Sequence, residues 1–112
     1  MIQNKIRVAV SKADCTIFRE NVGKVRMANG RMFDTGLPRG FPDLSGFRHS
    51  DLQVFYIEVK NEKGKPREDQ KRFHQRMMQL GVIHGIARSP EDALKIVKLG
   101  LVGYGWSEYD DT

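Results

Sequence analysis

Apolar residues recur at helical spacing in several stretches of the chain, and each such stretch predicts an α-helix. The first stretch has Ile6 and Val10 on its apolar stripe and predicts a helix over residues 2–13. The second predicts a helix of about sixteen residues that begins at Pro66 and ends at Gly81, because proline is tolerated in the first helical turn and glycine favours a helix end.

The second helix is predicted to turn an apolar stripe of Phe73, Met77 and Leu80 towards the core. Gln70 belongs to the same stripe, and a polar amide that faces a core needs a hydrogen-bonding partner. We expect that partner near the end of the strand described below. His74 is expected to be exposed beside the stripe.

A third helix is predicted to begin after Ser89, whose side chain can cap it, with Pro90 at its first position. The glycine-rich and aromatic segment that follows, up to residue 112, admits two interpretations. It is either an arm that packs on another subunit or a tail.

Alternating apolar and polar residues predict the strands. Residues 52–60 are the most strand-like stretch, with Tyr56, Glu58 and Lys60 on one face and three apolar side chains on the other. An acidic and a basic group side by side at the end of an apolar strand indicate a functional site. Further strands are predicted over residues 16–19, 43–47 and 82–87.

Residues 24–34 are predicted to form a β-hairpin. Asn29-Gly30 is expected to be a two-residue turn, because both central positions of that turn need a positive φ. The arms carry Lys24, Arg26 and Arg31, so the hairpin is predicted to be a basic finger that contacts DNA. With the other elements this gives one mixed α/β domain over residues 1–112, in the order α-β-β-β-β-α-β-α.

The composition fits a globular domain, with 39% apolar and 29% charged residues among 112. No apolar run approaches the roughly 20 residues of a membrane span, and the N-terminus lacks the pattern of a secretory signal. Cys15 is the single cysteine, which excludes an internal disulfide and a thiolate zinc cluster and fits a reducing compartment. We therefore expect a cytoplasmic protein, and Cys15 as a small buried side chain. The three histidines show no ligand spacing.

The chain carries a formal net charge of +5, which favours polyanionic partners. Several of its acids crowd the last residues, so the body is more basic than the total suggests. The candidate DNA-backbone contacts outside the hairpin either grip DNA or form a solvated basic face. They are Arg39, Lys63, Lys65, Arg67, Lys71 and Arg72.

The candidate catalytic residues are of the types that bind a divalent cation. A loop rich in glycine and proline delivers Asp43 to the start of a strand that is expected to lie antiparallel to the strand of Glu58. Mg²⁺ takes oxygen ligands and needs only one or two carboxylates, and such an ion can activate water for phosphodiester cleavage. Val59 would add its carbonyl oxygen, Lys60 would orient the water or stabilise charge, and Gln70 would position the water or a ligand.

These motifs, read in order, resemble a known nuclease superfamily. Gly40-Phe-Pro-Asp43, then Glu58-Val-Lys60, then Gln70 in a following helix are similar to the PD-(D/E)xK pattern, and most closely to its virus-type replication-repair nuclease (VRR-NUC) branch. The stretches 18–24 and 36–40 are similar to phage members of that branch. The resemblance covers almost the whole chain, as expected for a stand-alone module.

The resemblance implies a restriction-endonuclease-like central mixed sheet flanked by helices, dependence on Mg²⁺ or Mn²⁺, and structure-selective cleavage of DNA. It also implies a homodimer that acts on branched DNA, with Holliday junctions among the candidate substrates, inside a bacterial host cell if the protein is phage-encoded. The family usually has a glutamate in the first helix, and here either Gln3 or Glu20 is the candidate for that place. Two other interpretations remain: a non-catalytic DNA-binding module and a Mg²⁺ phosphoesterase that acts on nucleotides.

Overall fold

A computed structural model describes residues 1–20, 24–34 and 36–110 of the chain, with the backbone alone at residues 24–26 and 33–34. Its helices and strands follow one another with short connections. In chain order they are α1 (Ile2–Ser11), β1 (Cys15–Arg19), β2 (Lys24–Arg26), β3 (Met32–Asp34), β4 (Leu44–Arg48), β5 (Val54–Val59), α2 (Glu68–Leu80), β6 (Ile83–Ala87), α3 (Pro90–Leu99), β7 (Val102–Tyr104) and a 3₁₀ turn (Ser107–Tyr109).

Five strands form one open mixed sheet in the order β1-β4-β5-β6-β7. The β1–β4 and β4–β5 pairs are antiparallel, whereas β5–β6 and β6–β7 are parallel. The prediction of a mixed α/β domain with a central sheet flanked by helices is confirmed. Strands β2 and β3 form a separate two-stranded sheet, and β7 lies in the segment after α3, for which no strand is predicted.

The main hydrophobic core lies on the sheet face covered by α1 and α3. Ile6 and Val10 of α1 are fully buried there, as the helical stripe predicts. Phe55 and Ile57 of β5 are also fully buried, so the apolar face of residues 52–60 faces the core as predicted. Cys15 is buried at the edge of the same core, as expected.

The opposite face of the sheet is covered by α2 and by the residues that follow α3. Phe41, Tyr56 and Phe73 pack edge to face, with ring centroids 5.2 to 5.6 Å apart. Trp106 is buried and stacks on His74, with ring centroids 4.2 Å apart. The segment after α3 therefore packs on its own sheet as part of the domain.

Two predictions about α2 are wrong. His74 is only 2% exposed, and Leu80 is 57% exposed. The inward stripe runs through Gln70 and His74, and Leu80, the last residue of the helix, lies off it. A histidine is tolerated inside because its two ring nitrogens have partners, Nδ1 with His84 at 2.8 Å and Nε2 with a carboxylate oxygen at 2.7 Å.

The signals at the helix ends are mostly confirmed. Gly81 adopts a left-handed conformation at the end of α2, with φ of 73°. Ser89 accepts a hydrogen bond from the Asp92 amide at 3.1 Å and caps α3. Helix α1 ends at Ser11 and α2 begins at Glu68, so both helices are shorter than predicted.

The hairpin turn differs from the predicted one. The Met27 amide donates to the Arg31 carbonyl at 2.7 Å, which closes a loop of three residues. Within that loop Gly30 alone has a positive φ, of 86°. A three-residue loop of this kind needs one left-handed position, so glycine meets the requirement and Asn29 keeps an ordinary conformation. No helix in the described part of the chain has the length and apolar character needed to cross a bilayer.

Candidate metal centre

The register between β4 and β5 brings two carboxylates together. Leu44 pairs with Ile57, so Asp43 and Glu58 are the next residues to face each other across the antiparallel ladder. The two carboxyl groups share a hydrogen bond. The Asp43 Oδ2 atom also accepts a hydrogen bond from the Val59 amide at 2.9 Å, which fixes its position against the end of β5.

Glu58 is buried, with 4% of its surface exposed. Burial raises the pKa of its carboxyl group from 4.5 to about 9, assisted by the hydrogen bond to Asp43 and the Asp43 charge. The charges of Lys60 and Arg67 act in the opposite direction. The raised pKa favours the protonated form of Glu58 at neutral pH.

This pair fits a hard divalent cation. A proton held between two carboxyl groups occupies a place where positive charge is favoured, and a cation can replace it. Both donors are oxygens, which Mg²⁺ and Mn²⁺ prefer. Within residues 1–20, 24–34 and 36–110, no three side chains of the His, Cys, Asp or Glu type form a larger cluster. Two carboxylates with water as the remaining ligand are a usual donor set for Mg²⁺.

Lys60 follows Glu58 by two residues and lies on the same side of the strand. Its charge reaches the Glu58 carboxyl group and lowers that pKa. Its backbone amide donates to the Ala87 carbonyl at 3.1 Å, which continues the pairing of β5 with β6. Val59 is half-buried between these residues, and the role of its carbonyl as a ligand stays a prediction.

Gln70 lies close to the carboxylate pair, but the prediction that its partner lies near the end of β5 is wrong, because its amide oxygen bonds to the start of α2. It is 5% exposed, and its Oε1 accepts a hydrogen bond from the Arg67 amide at 2.9 Å, which caps the start of α2. Gln70 and Glu58 also line one cavity of about 10 Å³, together with His74 and His84. That volume is close to the space of one water molecule. A role for Gln70 in positioning water stays a prediction.

Glu20 lies next to Asp43 across the β1–β4 pair of strands. Its amide donates to the Asp43 carbonyl at 2.8 Å, so it faces Asp43 across the β1–β4 ladder. Its carboxylate accepts a hydrogen bond from the Ser45 hydroxyl group. Gln3 is half-buried on α1. The structure therefore places Glu20 beside the pair with its carboxylate engaged by Ser45.

The loop that delivers Asp43 packs directly on the start of α2. Gly40 has φ of 87°, and a Cβ atom there would lie 2.7 Å from the carbonyl carbon of Asp69. Only glycine fits such an approach. Arg39 precedes this contact and Arg67 precedes α2, and both side chains are exposed near the site. Arg67 pairs with Asp69 at 3.2 Å.

The structure shows the side chains of some of the other basic residues that are predicted to contact DNA. Lys65 is exposed in the loop before α2, and Arg31 is exposed at the hairpin loop. The side chains of Lys24 and Arg26 lie outside the described part of the structure. DNA contact by any of these residues stays a prediction.

Two residues near the site carry no signal in the sequence. Arg88 directly follows β6, and its guanidinium group donates to the Asn61 and Gly64 carbonyls in the loop after Lys60. Tyr109 accepts a hydrogen bond from the same group at 2.9 Å. An arginine after a strand and a tyrosine in an unassigned segment are too common to single out from their spacing.

A mixed sheet that sets Asp43 against Glu58 at the end of β5, with Lys60 beside them, defines a nuclease-type fold of the PD-(D/E)xK superfamily. The sequence model of the VRR-NUC domain matches residues 5–91. The chain therefore belongs to the VRR-NUC family. A solved structure described as a VRR_NUC domain is similar, with a TM-score of 0.62 and 20% identity, over 87% of this chain and 90% of that chain. A comparison with curated protein sequences gave no match.

Proposed function

We propose that this chain is a Mg²⁺- or Mn²⁺-dependent, structure-selective DNA endonuclease that hydrolyses phosphodiester bonds. The observation that carries the proposal is the position of Asp43 and the buried Glu58, which face each other across β4 and β5 with their carboxyl groups in contact. Membership of the VRR-NUC family supports the nuclease class.

Each site residue has a separate task in this proposal. Asp43 and Glu58 would hold the ion through carboxylate oxygens, and Val59 would add its carbonyl. The ion would supply neutralisation of phosphate charge and activation of water. Lys60 directs the attacking water or stabilises the charge that develops on the phosphate. Gln70 orients the water or a ligand from the cavity it shares with Glu58.

DNA is the proposed partner because the family is a nuclease family and the chain carries a net charge of +5. Arg39, Lys65 and Arg67 are the proposed backbone contacts beside the site. The hairpin, with Arg31 at its loop, is proposed to contact DNA farther away. Branched DNA, including four-way junctions, is the proposed substrate, and a homodimer is the proposed assembly because two-fold junctions match two-fold proteins.

A non-catalytic DNA-binding module is the second candidate, and one observation favours it. A hydrogen bond between the Glu58 and Asp43 carboxyl groups raises the pKa of Glu58, and such a bond satisfies the pair without any cation. A binding module would use these two residues to stabilise the end of β5 and would need no metal for DNA affinity.

The first experiment is incubation of flap, fork, four-way junction and plain duplex DNA with and without Mg²⁺ or Mn²⁺. We expect cleavage that requires the ion and prefers a branched substrate. Lys60→Ala and Asp43→Asn should abolish cleavage and leave DNA affinity largely intact. Binding without cleavage in every ion tested would support the second candidate, and loss of DNA affinity along with cleavage would assign the two residues to folding.

A further inference from the structure

The loop that follows Lys60 is closed on itself by one asparagine. The Asn61 Oδ1 atom accepts hydrogen bonds from the amides of Lys63 at 3.0 Å and Gly64 at 2.7 Å. The Gly64 backbone lies against the stem of Lys60, since a Cβ atom at Gly64 would be 3.3 Å from the Lys60 Cδ atom. The position of this loop therefore limits where the Lys60 side chain can go.

Arg88 holds the loop from the neighbouring strand. Its Nη1 atom donates to the carbonyls of Asn61 and Gly64, the latter at 2.9 Å. Its backbone amide donates to Asp92 Oδ2 at 2.9 Å, at the start of α3. Val59 pairs with the residue before Arg88, which fixes the Arg88 backbone at the end of β6. From there the guanidinium group bridges the two ends of the loop.

Tyr109 holds Arg88 in turn. The Arg88 Nη2 atom donates to the Tyr109 hydroxyl group at 2.9 Å. Tyr109 packs edge to face on Trp106, which stacks on His74. The next residue, Asp110, contacts His74 Nε2 at 2.7 Å. The 3₁₀ turn is thus anchored on the same sheet face as Glu58, beyond the residues that match the family.

We propose that Arg88 and Tyr109 are positioning residues for Lys60, acting through the loop of residues 61–64. The inference rests on the proposed function, because it gives Lys60 a catalytic task. A planar guanidinium group donates to several acceptors in a fixed geometry, whereas a lysine ammonium group on a flexible stem does not. The C-terminal segment is then part of the catalytic apparatus.

The test compares Arg88→Lys and Tyr109→Phe with the wild-type protein. A small displacement of a catalytic group costs up to about 100-fold in rate, so we expect kcat to fall by about 10- to 100-fold in Arg88→Lys. Tyr109→Phe should give a smaller fall in kcat. KM for DNA, Mn²⁺ affinity from calorimetry and Tm should change little, because Asp43, Glu58 and the DNA contacts are untouched.

Hydrogen exchange of the Gly64 amide in metal-free protein gives a readout that does not depend on activity. We expect faster exchange in both variants, because the loop loses its bridge. Arg76→Lys is the matched control for the arginine substitution, since Arg76 is exposed on α2. This control should keep wild-type kcat and Gly64 exchange.

Unchanged kcat and unchanged Gly64 exchange in Arg88→Lys would overturn the inference, as would a loss of kcat that Arg76→Lys reproduces. If Arg88→Lys does not fold, the same comparison rests on Tyr109→Phe. Failure of the proposed function looks different: the wild-type protein would not cut DNA in any ion, and Lys60→Ala would match it. Faster Gly64 exchange in that case would show that Arg88 and Tyr109 stabilise the loop without positioning a catalytic group.

Discussion

The proton on Glu58 makes a quantitative prediction about ion binding. With a pKa of about 9, the carboxyl group is almost fully protonated at neutral pH, and an ion must displace that proton. Each pH unit below the pKa then weakens the apparent affinity about tenfold. We therefore expect the apparent Kd for Mn²⁺ to fall about 100-fold between pH 6 and pH 8, which corresponds to about 3 kcal/mol.

Isothermal titration calorimetry measures both the affinity and the proton. Titrations with Mn²⁺ in buffers of different ionisation enthalpy give the number of protons released, which should be close to one per bound ion at neutral pH. Glu58→Gln is the matched variant, because its amide can still donate to Asp43 but cannot ionise. It should bind Mn²⁺ weakly, with little dependence on pH and no proton release.

The reasoning is refuted if the affinity of the wild-type protein for Mn²⁺ is the same across that pH range. It is also refuted if Glu58→Gln binds as tightly as wild type, since Glu58 would then not be a ligand. Strong binding with no proton release would mean that the ion lies elsewhere and leaves the proton between the two carboxyl groups.

The stability of the metal-free protein should also depend on Glu58, whose pKa is about 9 when folded and near 4.5 when unfolded. The folded state then binds one more proton than the unfolded state. The stabilisation from this proton is therefore complete below the pKa of the unfolded state and is lost as pH rises towards the pKa of the folded state. We expect Tm to fall as pH rises between these two values, and to fall less in Glu58→Gln. Gly40→Ala should lower the free energy of unfolding by about 1–3 kcal/mol, measured by urea unfolding. Gly30→Ala has nearly the same φ but nothing within 4 Å of the new atom, so an equal loss there would mean that the contact with α2 is unimportant. Replacing Lys24 and Arg26 by alanine should weaken DNA binding and flatten its dependence on salt in fluorescence anisotropy, and an unaltered slope would mean that the hairpin does not contact DNA.

Local rules are enough to predict the carboxylate pair. Alternation along residues 52–60 places Glu58 and Lys60 on one face, and the glycine and proline before Asp43 predict a strand start there. Antiparallel pairing of the two strands then brings the acids together. These steps need the period of a strand, the chemistry of a turn and the pairing of two strands that follow each other in the chain, so all the residues involved are close in the sequence.

The second sheet face is harder to predict because its partners are distant in the chain. His74 looks like a surface residue until Trp106 and Asp110 arrive from more than thirty positions away to stack on it and bond to it. Arg88 and Tyr109 are also hidden by sequence separation, because the hydrogen bonds of Arg88 to Asn61, Gly64 and Tyr109 span 21 to 27 positions. No periodicity in α2 encodes contacts that depend on where a later segment returns to the sheet.

The ribosome releases a chain from its N-terminus onwards. Asp43, Glu58 and Lys60 therefore emerge well before the segment that carries Trp106 and Tyr109. During that interval the imidazole of His74 has no indole above it, and the guanidinium group of Arg88 has no phenol to hold it. If Arg88 and Tyr109 position Lys60 as proposed, the Arg88 guanidinium group gains its hydrogen bond to Tyr109 only after the residues that follow α3 have been synthesised.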